Sequence, residues 1–244
     1  MPQRISSSMY LQPVTPAEVC REICALNLSK SPGIDNIPAH FIHLAEDILS
    51  FPLSVLFNYS FEYGIFPDCL KIAKILPVYK SGIKSDPSNY RPISILPCIS
   101  KLLEKLIFVR LNNFLQKNSI IDAAQYGFQK GRSTEHAVLD VITSVYDNIN
   151  RKHYTGLAFL DFKKAFDTIS HSILLQKLNH YGIRGLAGNL ISSYLSNRKQ
   201  SVFYQQFLLY SSHYPNRGAT RVYIGSFAIS ITYKGPNKLH FLNN

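Results

Sequence analysis

The stretch Phe159-Leu160-Asp161-Phe162-Lys163-Lys164-Ala165-Phe166-Asp167-Thr168 decides how this chain is read. Ala158, Phe159 and Leu160, preceded by Tyr154 and Leu157, form an apolar run that predicts a buried strand over 154–161. Asp161 ends that run. A carboxylate at a strand end can face solvent and a metal ion while its strand is held rigidly in the core. A lone Asp after a strand is more often a turn residue. A centre that holds two divalent ions roughly 3.5–4 Å apart for phosphoryl transfer needs several convergent carboxylates. After Asp167 the chain contains neither Asp nor Glu, so a site of that kind built on Asp161 is unfinished.

Outward from this stretch, further short motifs follow one another along the chain. They are Ser31-Pro32-Gly33-Ile34-Asp35, Gly64-Ile65-Phe66-Pro67, the run Asp86–Ser94 (DPSNYRPIS) and the run Tyr126–Thr134 (YGFQKGRST). Beyond Thr168 come His171, Tyr181-Gly182-Ile183-Arg184 and Tyr194-Leu195-Ser196-Asn197-Arg198. Any one of them is weak; together and in this order they are strong. From about Pro13 to Tyr204 the chain resembles the reverse transcriptases of non-LTR (LINE-type) retrotransposons, and Phe159–His171 resembles their first catalytic motif.

The resemblance implies an α+β fold, an incomplete polymerase with fingers and part of a palm, without the catalytic hairpin and without a thumb. It implies RNA-directed DNA polymerisation with Mg²⁺, an RNA template, a DNA primer and a deoxynucleoside triphosphate (dNTP). Asp161 would be the catalytic and metal-binding carboxylate. Arg91 and Lys80, at the two edges of one loop between predicted strands, would hold the triphosphate, since a guanidinium fork donates to phosphate in pairs. Phe166 would lie beneath the incoming sugar, where its bulk excludes a 2′-hydroxyl. Gln125, Lys130 and Arg132, set around Gly127 and Gly131, would lie near the template. Asp167 would orient or support. The alternative reading is a nucleic-acid-binding module that uses the basic fingers without chemistry.

The tail carries a trace of what is missing. Synonymous codons can be chosen for Arg217–Ile231 that, read from the second base, spell Gly-Val-Pro-Gln-Gly-Ser-Ile-Leu-Gly-Pro-Leu-Leu-Phe-Leu. That is the loop which follows the first catalytic motif in the family. A change of reading frame between about Phe203 and Arg217 is therefore expected. Residues 1–12 are expected to be a frayed or truncated start, 13–204 the partial polymerase domain and 205–244 a frame-shifted tail.

Composition fits a partner with a phosphate backbone: 26 Lys and Arg against 15 Asp and Glu give a net charge of +11. No apolar run is long enough to span a bilayer, and the start lacks the apolar core of a signal peptide. Cys20, Cys24, Cys69 and Cys98 form no C-x-x-C pair and have no His at zinc-ligand spacing, which suits a reducing, intracellular compartment. Cys20 and Cys24, one helical turn apart, are read as core filling. Helices are predicted from a Thr15 cap to about Leu26, over Pro38–Leu49 and Leu53–Tyr63 with a break at Pro52, and over Ile99–Lys117 with Glu104 off the apolar stripe. Others are predicted from Ser133 or Thr134 to Asn150, from Ser170 to His180, and over Leu186–Leu195. Lys71–Tyr79 and Pro92–Leu96 read as strands.

Overall fold

In the computed structural model, which describes residues 5–129, 131–160, 169–204 and 207–213, the first helix starts where the sequence caps it. Thr15 Oγ1 accepts the Glu18 backbone N–H at 3.2 Å, and Pro16 fills the first turn of α1 (Pro16–Cys24). The Glu18 carboxylate is held from two sides, by the Thr15 backbone and by Arg110. It pairs with both terminal nitrogens of Arg110, each at 2.9 Å. That Arg110 pairing holds the Glu18 carboxyl below the usual range.

Two helices follow, α2 (Ala39–Leu44) and α3 (Glu46–Tyr63). Their break lies at Ala45 and not at Pro52, which α3 runs through. Pro52 and Ile48 are both exposed, so the carbonyl that loses its helical donor faces water. Gly64 stops α3 in the left-handed region, φ 65°, with its N–H on the Ser60 carbonyl.

The sheet begins with an antiparallel hairpin, β1 (Ile72–Tyr79) and β2 (Tyr90–Ile95). Pro77 and Pro92 face each other across it, where β1 has no other neighbour, so neither missing N–H leaves a gap in a central ladder. β3 (Lys199–Tyr204) runs parallel to β1 over Ile72–Ile75, and β4 (Phe207–His213) pairs antiparallel with β3, giving the order β2-β1-β3-β4. The boundary expected at Tyr204 therefore falls inside a hairpin that continues to His213. Neither strand has the β-branched, alternating pattern that marks β1.

The remaining helices are α4 (Cys98–Lys117), α5 (Thr134–Asn150), α6 (His171–His180) and α7 (Leu186–Leu195). α4 is the axis of the core. Its Leu102, Leu103, Leu106, Ile107, Leu111 and Leu115 are buried in one cluster with Val19 and Ile23 of α1, Phe57 and Phe61 of α3, and Leu190 and Tyr194 of α7. Ala73, Ile75 and Leu96 make a smaller cluster beneath the sheet. Among the described residues no helix is long and apolar enough to cross a membrane.

Three further expectations are corrected. Residues 5–12 are not frayed: Met9 is buried, its N–H reaches the Gly182 carbonyl at 2.8 Å, and Arg184 donates to Ser8 Oγ at 2.7 Å and to the Ser6 carbonyl at 2.6 Å. Tyr154–Leu160 is neither a strand nor buried: it is exposed throughout, and among the described residues no strand pairs with it. Cys24 is exposed and Cys20 half-buried, so neither fills the core.

Candidate nucleotide and template site

The β1–β2 register sets Val78 opposite Arg91 and Tyr79 opposite Tyr90, and the Lys80 N–H closes the ladder on the Asn89 carbonyl at 2.8 Å. A strand's period of two then puts Lys80 and Arg91 on one face of the hairpin, both exposed at its tip. The loop between them is built by its own side chains. Asp86 accepts the Ser88 N–H at 2.8 Å and the Ser88 hydroxyl at 2.7 Å, which lowers the Asp86 carboxyl pKa. Tyr79 donates to the Gly82 carbonyl at 2.6 Å, Tyr90 to the Lys84 carbonyl at 2.9 Å, and the two rings meet edge to face at 5.6 Å. The motif Asp86–Ser94 thus folds a tip that presents two cations on a fixed frame. On the same face an apolar groove of about 650 Å³ runs over Leu76, Val78, Ile93 and Ile95 toward Lys101 and Lys105.

The second surface lies at the end of α4 and along the loop that leads to α5. Gln125 and Arg132 line one cleft of about 300 Å³ with Gln129 and Asp122. Gln125 is buried, and its amide nitrogen donates to the Gly127 carbonyl at 3.1 Å. Arg132 is exposed, lies 5.1 Å over the Tyr126 ring and donates to the Ala123 carbonyl. The Tyr126 hydroxyl donates to Asp140 on α5, a bond that raises the phenol's pKa. The structure therefore brings Lys80 to Arg91 and Gln125 to Arg132, while the groove and the cleft share no lining residue. Asp161, Phe166 and Lys130 lie outside the described residues. The approach to Asp161 does not: Leu157, Phe159 and Leu160 are all exposed.

Sequence reasoning missed a buried charged cluster. Glu104, expected off the apolar stripe of α4, is 0 % exposed, and Arg198, the last residue of its motif, is 5 % exposed. Their nearest approach is 3.9 Å, too long for a hydrogen bond, and neither Glu104 oxygen has a hydrogen-bond partner. Arg198 lies 4.5 Å over the Tyr194 ring and donates to the Tyr194 carbonyl at 3.2 Å. Burial pushes the Glu104 carboxyl up to about 7, with Arg198 pulling the other way. Half-buried His171 is pushed down, first by burial and then by Arg198. The Tyr194–Arg198 motif was the available signal; that its cation points inward toward α4 was not legible.

The motifs around this frame have physical reasons as well. A Cβ on Gly33 would meet the Pro97 backbone nitrogen at 2.6 Å and the Leu96 carbonyl carbon at 2.9 Å, so the turn Ser31–Asp35 lies flat against the junction of β2 and α4. Gly182 has φ +89° and abuts the Ser7 carbonyl, where the start of the chain crosses.

A family model for reverse transcriptase (RNA-dependent DNA polymerase) matches residues 80–218. The chain is 31% identical over 202 residues to a probable RNA-directed DNA polymerase from transposon BS of Drosophila melanogaster, covering 80% of this chain and 22% of that protein. It is 34% identical over 171 residues to an RNA-directed DNA polymerase from mobile element jockey of the same species, covering 70% and 19%. With a probable RNA-directed DNA polymerase from transposon X-element, also of that species, identity is 32% over 204 residues, covering 82% and 22%. The chain spans about a fifth of the length of these relatives.

Proposed function

The chain belongs to the reverse transcriptase family, among those of non-LTR retrotransposons, and from that premise we propose that it is the nucleotide- and template-handling part of an RNA-directed DNA polymerase, without polymerase activity of its own. The observation that carries this reading is the β1–β2 hairpin, which sets Arg91 and Lys80 on one exposed face inside the segment the family model matches. Arg91 offers paired donors to the phosphates of a dNTP and Lys80 a second point charge. Arg132, with Lys130 and Gln125 beside it in sequence, contacts the template. Phe166 excludes the 2′-hydroxyl of a ribonucleotide.

The polymerase reaction is in-line attack of a primer 3′-hydroxyl on the α-phosphate of the nucleotide. Mg²⁺ would supply charge neutralisation at that phosphate. Asp161 is the ligand this chain offers, with Asp167 nearby and no acid after it. That donor set is too small for a two-ion centre, and no step is derived through it. The frame change between about Phe203 and Arg217 accounts for the missing acids. Exposure of Leu157, Phe159 and Leu160 outside the sheet favours the second reading, a nucleic-acid-binding module that works through charge alone.

Two measurements separate these readings. A fluorescent dNTP titrated onto the chain should bind about tenfold or more weakly to Arg91→Ala, while Lys117→Ala leaves binding unchanged. Equal loss in both variants would mean diffuse charge and favour the binding module. With RNA template, DNA primer, dNTPs and Mg²⁺ the chain should give no extension; extension abolished by Asp161→Ala would sink the proposal of inactivity.

A further inference from the structure

Cys20 and Cys24 stand one turn apart on α1, away from the core that Val19 and Ile23 enter. Facing them is the junction where α2 ends and α3 begins, with His43 in the last turn of α2 and Glu46 as the first residue of α3. The two sulfur atoms and a Glu46 carboxylate oxygen all lie within 4.8 Å of one another. Cys24 Sγ is 2.9 Å from Glu46 Oε2, and His43 Nδ1 is 3.5 Å from the same oxygen. His43 Nδ1 is covered and makes no hydrogen bond.

We propose that these side chains form a zinc site, with Cys20, Cys24 and Glu46 as ligands and His43 as the fourth. Zinc bonds of about 2.0–2.3 Å in a tetrahedron put ligand atoms roughly 3.3–3.8 Å apart, which the two sulfurs and the Glu46 oxygen approach, while His43 stands beside Glu46 outside that group and turns in as the fourth ligand. Rotation of the partly exposed Cys20, Cys24 and His43 side chains completes the approach. Thiolate, imidazole and carboxylate together suit zinc rather than Mg²⁺ or Ca²⁺, which prefer all-oxygen shells. A cysteine kept for packing is usually buried, and neither of these is. Binding displaces the thiol proton that Cys24 shares with Glu46 and the proton of Cys20, and both pass to solvent. The site would fasten α1, a helix of 9 residues too short to hold itself, to the α2–α3 junction. Neither nucleotide nor template contact depends on it.

The test uses the full chain, reduced with a non-chelating phosphine and titrated with Zn²⁺ against a chromophoric chelator. Co²⁺ serves as the spectroscopic probe. The expected result is one metal per chain, a thiolate-to-cobalt charge-transfer band, and thermal stabilisation by Zn²⁺. Cys20→Ser and Cys24→Ser should abolish the band. Glu46→Gln and His43→Ala should each weaken Zn²⁺ binding about tenfold or more. Circular dichroism checks that each variant is folded; Glu46→Gln keeps the side-chain shape and serves if a cysteine variant does not fold. A folded Cys20→Ser/Cys24→Ser chain that binds Zn²⁺ like the parent overturns the proposal. So does a reduced parent that binds none, or one that forms a Cys20–Cys24 disulfide and retains no metal.

Discussion

Arg198 illustrates what one side chain does when its charge is taken out of water. The buried Glu104 carboxylate has Arg198 at 3.9 Å, and Tyr194 and Lys101 act on it as well. Removing one partner of a buried pair leaves the other uncompensated. The Glu104 carboxyl is raised to about 7, so between the ordinary carboxyl range and that pH the folded chain holds a proton the unfolded chain has released. Its contribution to stability is therefore present at low pH and lost as pH rises toward and through 7. Arg198→Met should cost about 3–5 kcal/mol at pH 8, where Glu104 is ionised, and distinctly less at pH 5, where it is neutral. Thermal unfolding of both chains at the two pH values checks this; an equal loss at both would show that Arg198 acts only by packing on Tyr194. The sequence displayed both residues. It did not show that they meet, because Glu104 and Arg198 lie far apart in the chain and come together only when α7 packs into the core around α4.

At the scale of elements, local rules account for many of the boundaries. Thr15, Ser133 and Ser170 cap the helices that follow them, and Gly64 stops α3, because each of these is a contact within one turn. The rule for Pro52 failed because it assumes a buried carbonyl. The turn Ser31–Asp35 was legible as a motif, while its reason lies in a contact with residues 96–97. Gly33→Ala forces its methyl against the backbone there, and neither Leu96 nor Pro97 can yield without moving β2 or α4. A loss of about 1–3 kcal/mol is expected by denaturant unfolding. A neutral substitution would mean the turn lifts freely, and that it does not brace the hairpin carrying Arg91.

Across the whole molecule, two surfaces lack partners among the described residues. Val138, Ile142, Tyr146 and Ile149 form an exposed apolar stripe along α5, and Leu157, Phe159 and Leu160 are exposed as well. An apolar face of this kind needs a layer to cover it. In the proposed reading that layer is the remainder of the palm, which the change of frame removed. Genomic DNA across codons 217–231, read one base later, should encode the Gly-Val-Pro-Gln-Gly-Ser loop; DNA that does not encode it ends the frameshift account. Deleting residues 217–244 should leave the unfolding midpoint unchanged or improve solubility, and a fall in the midpoint would show that the tail is part of the fold.

By itself the sequence determined the family, most of the helices, the first hairpin and the residues worth testing at its tip. Those follow from periodicity, caps and short motifs, all of which act within a few residues of one another. Only the tertiary structure decided that Lys80 and Arg91 share a face, that Glu104 is buried against Arg198, and that Cys20 and Cys24 meet His43 and Glu46. It also left Tyr154–Leu160 outside the sheet, against the strongest strand signal near the decisive motif. A strand is completed by hydrogen bonds to its neighbours, and an ion pair or metal cluster by residues remote in the chain. Neither is written in the segment that carries the residue.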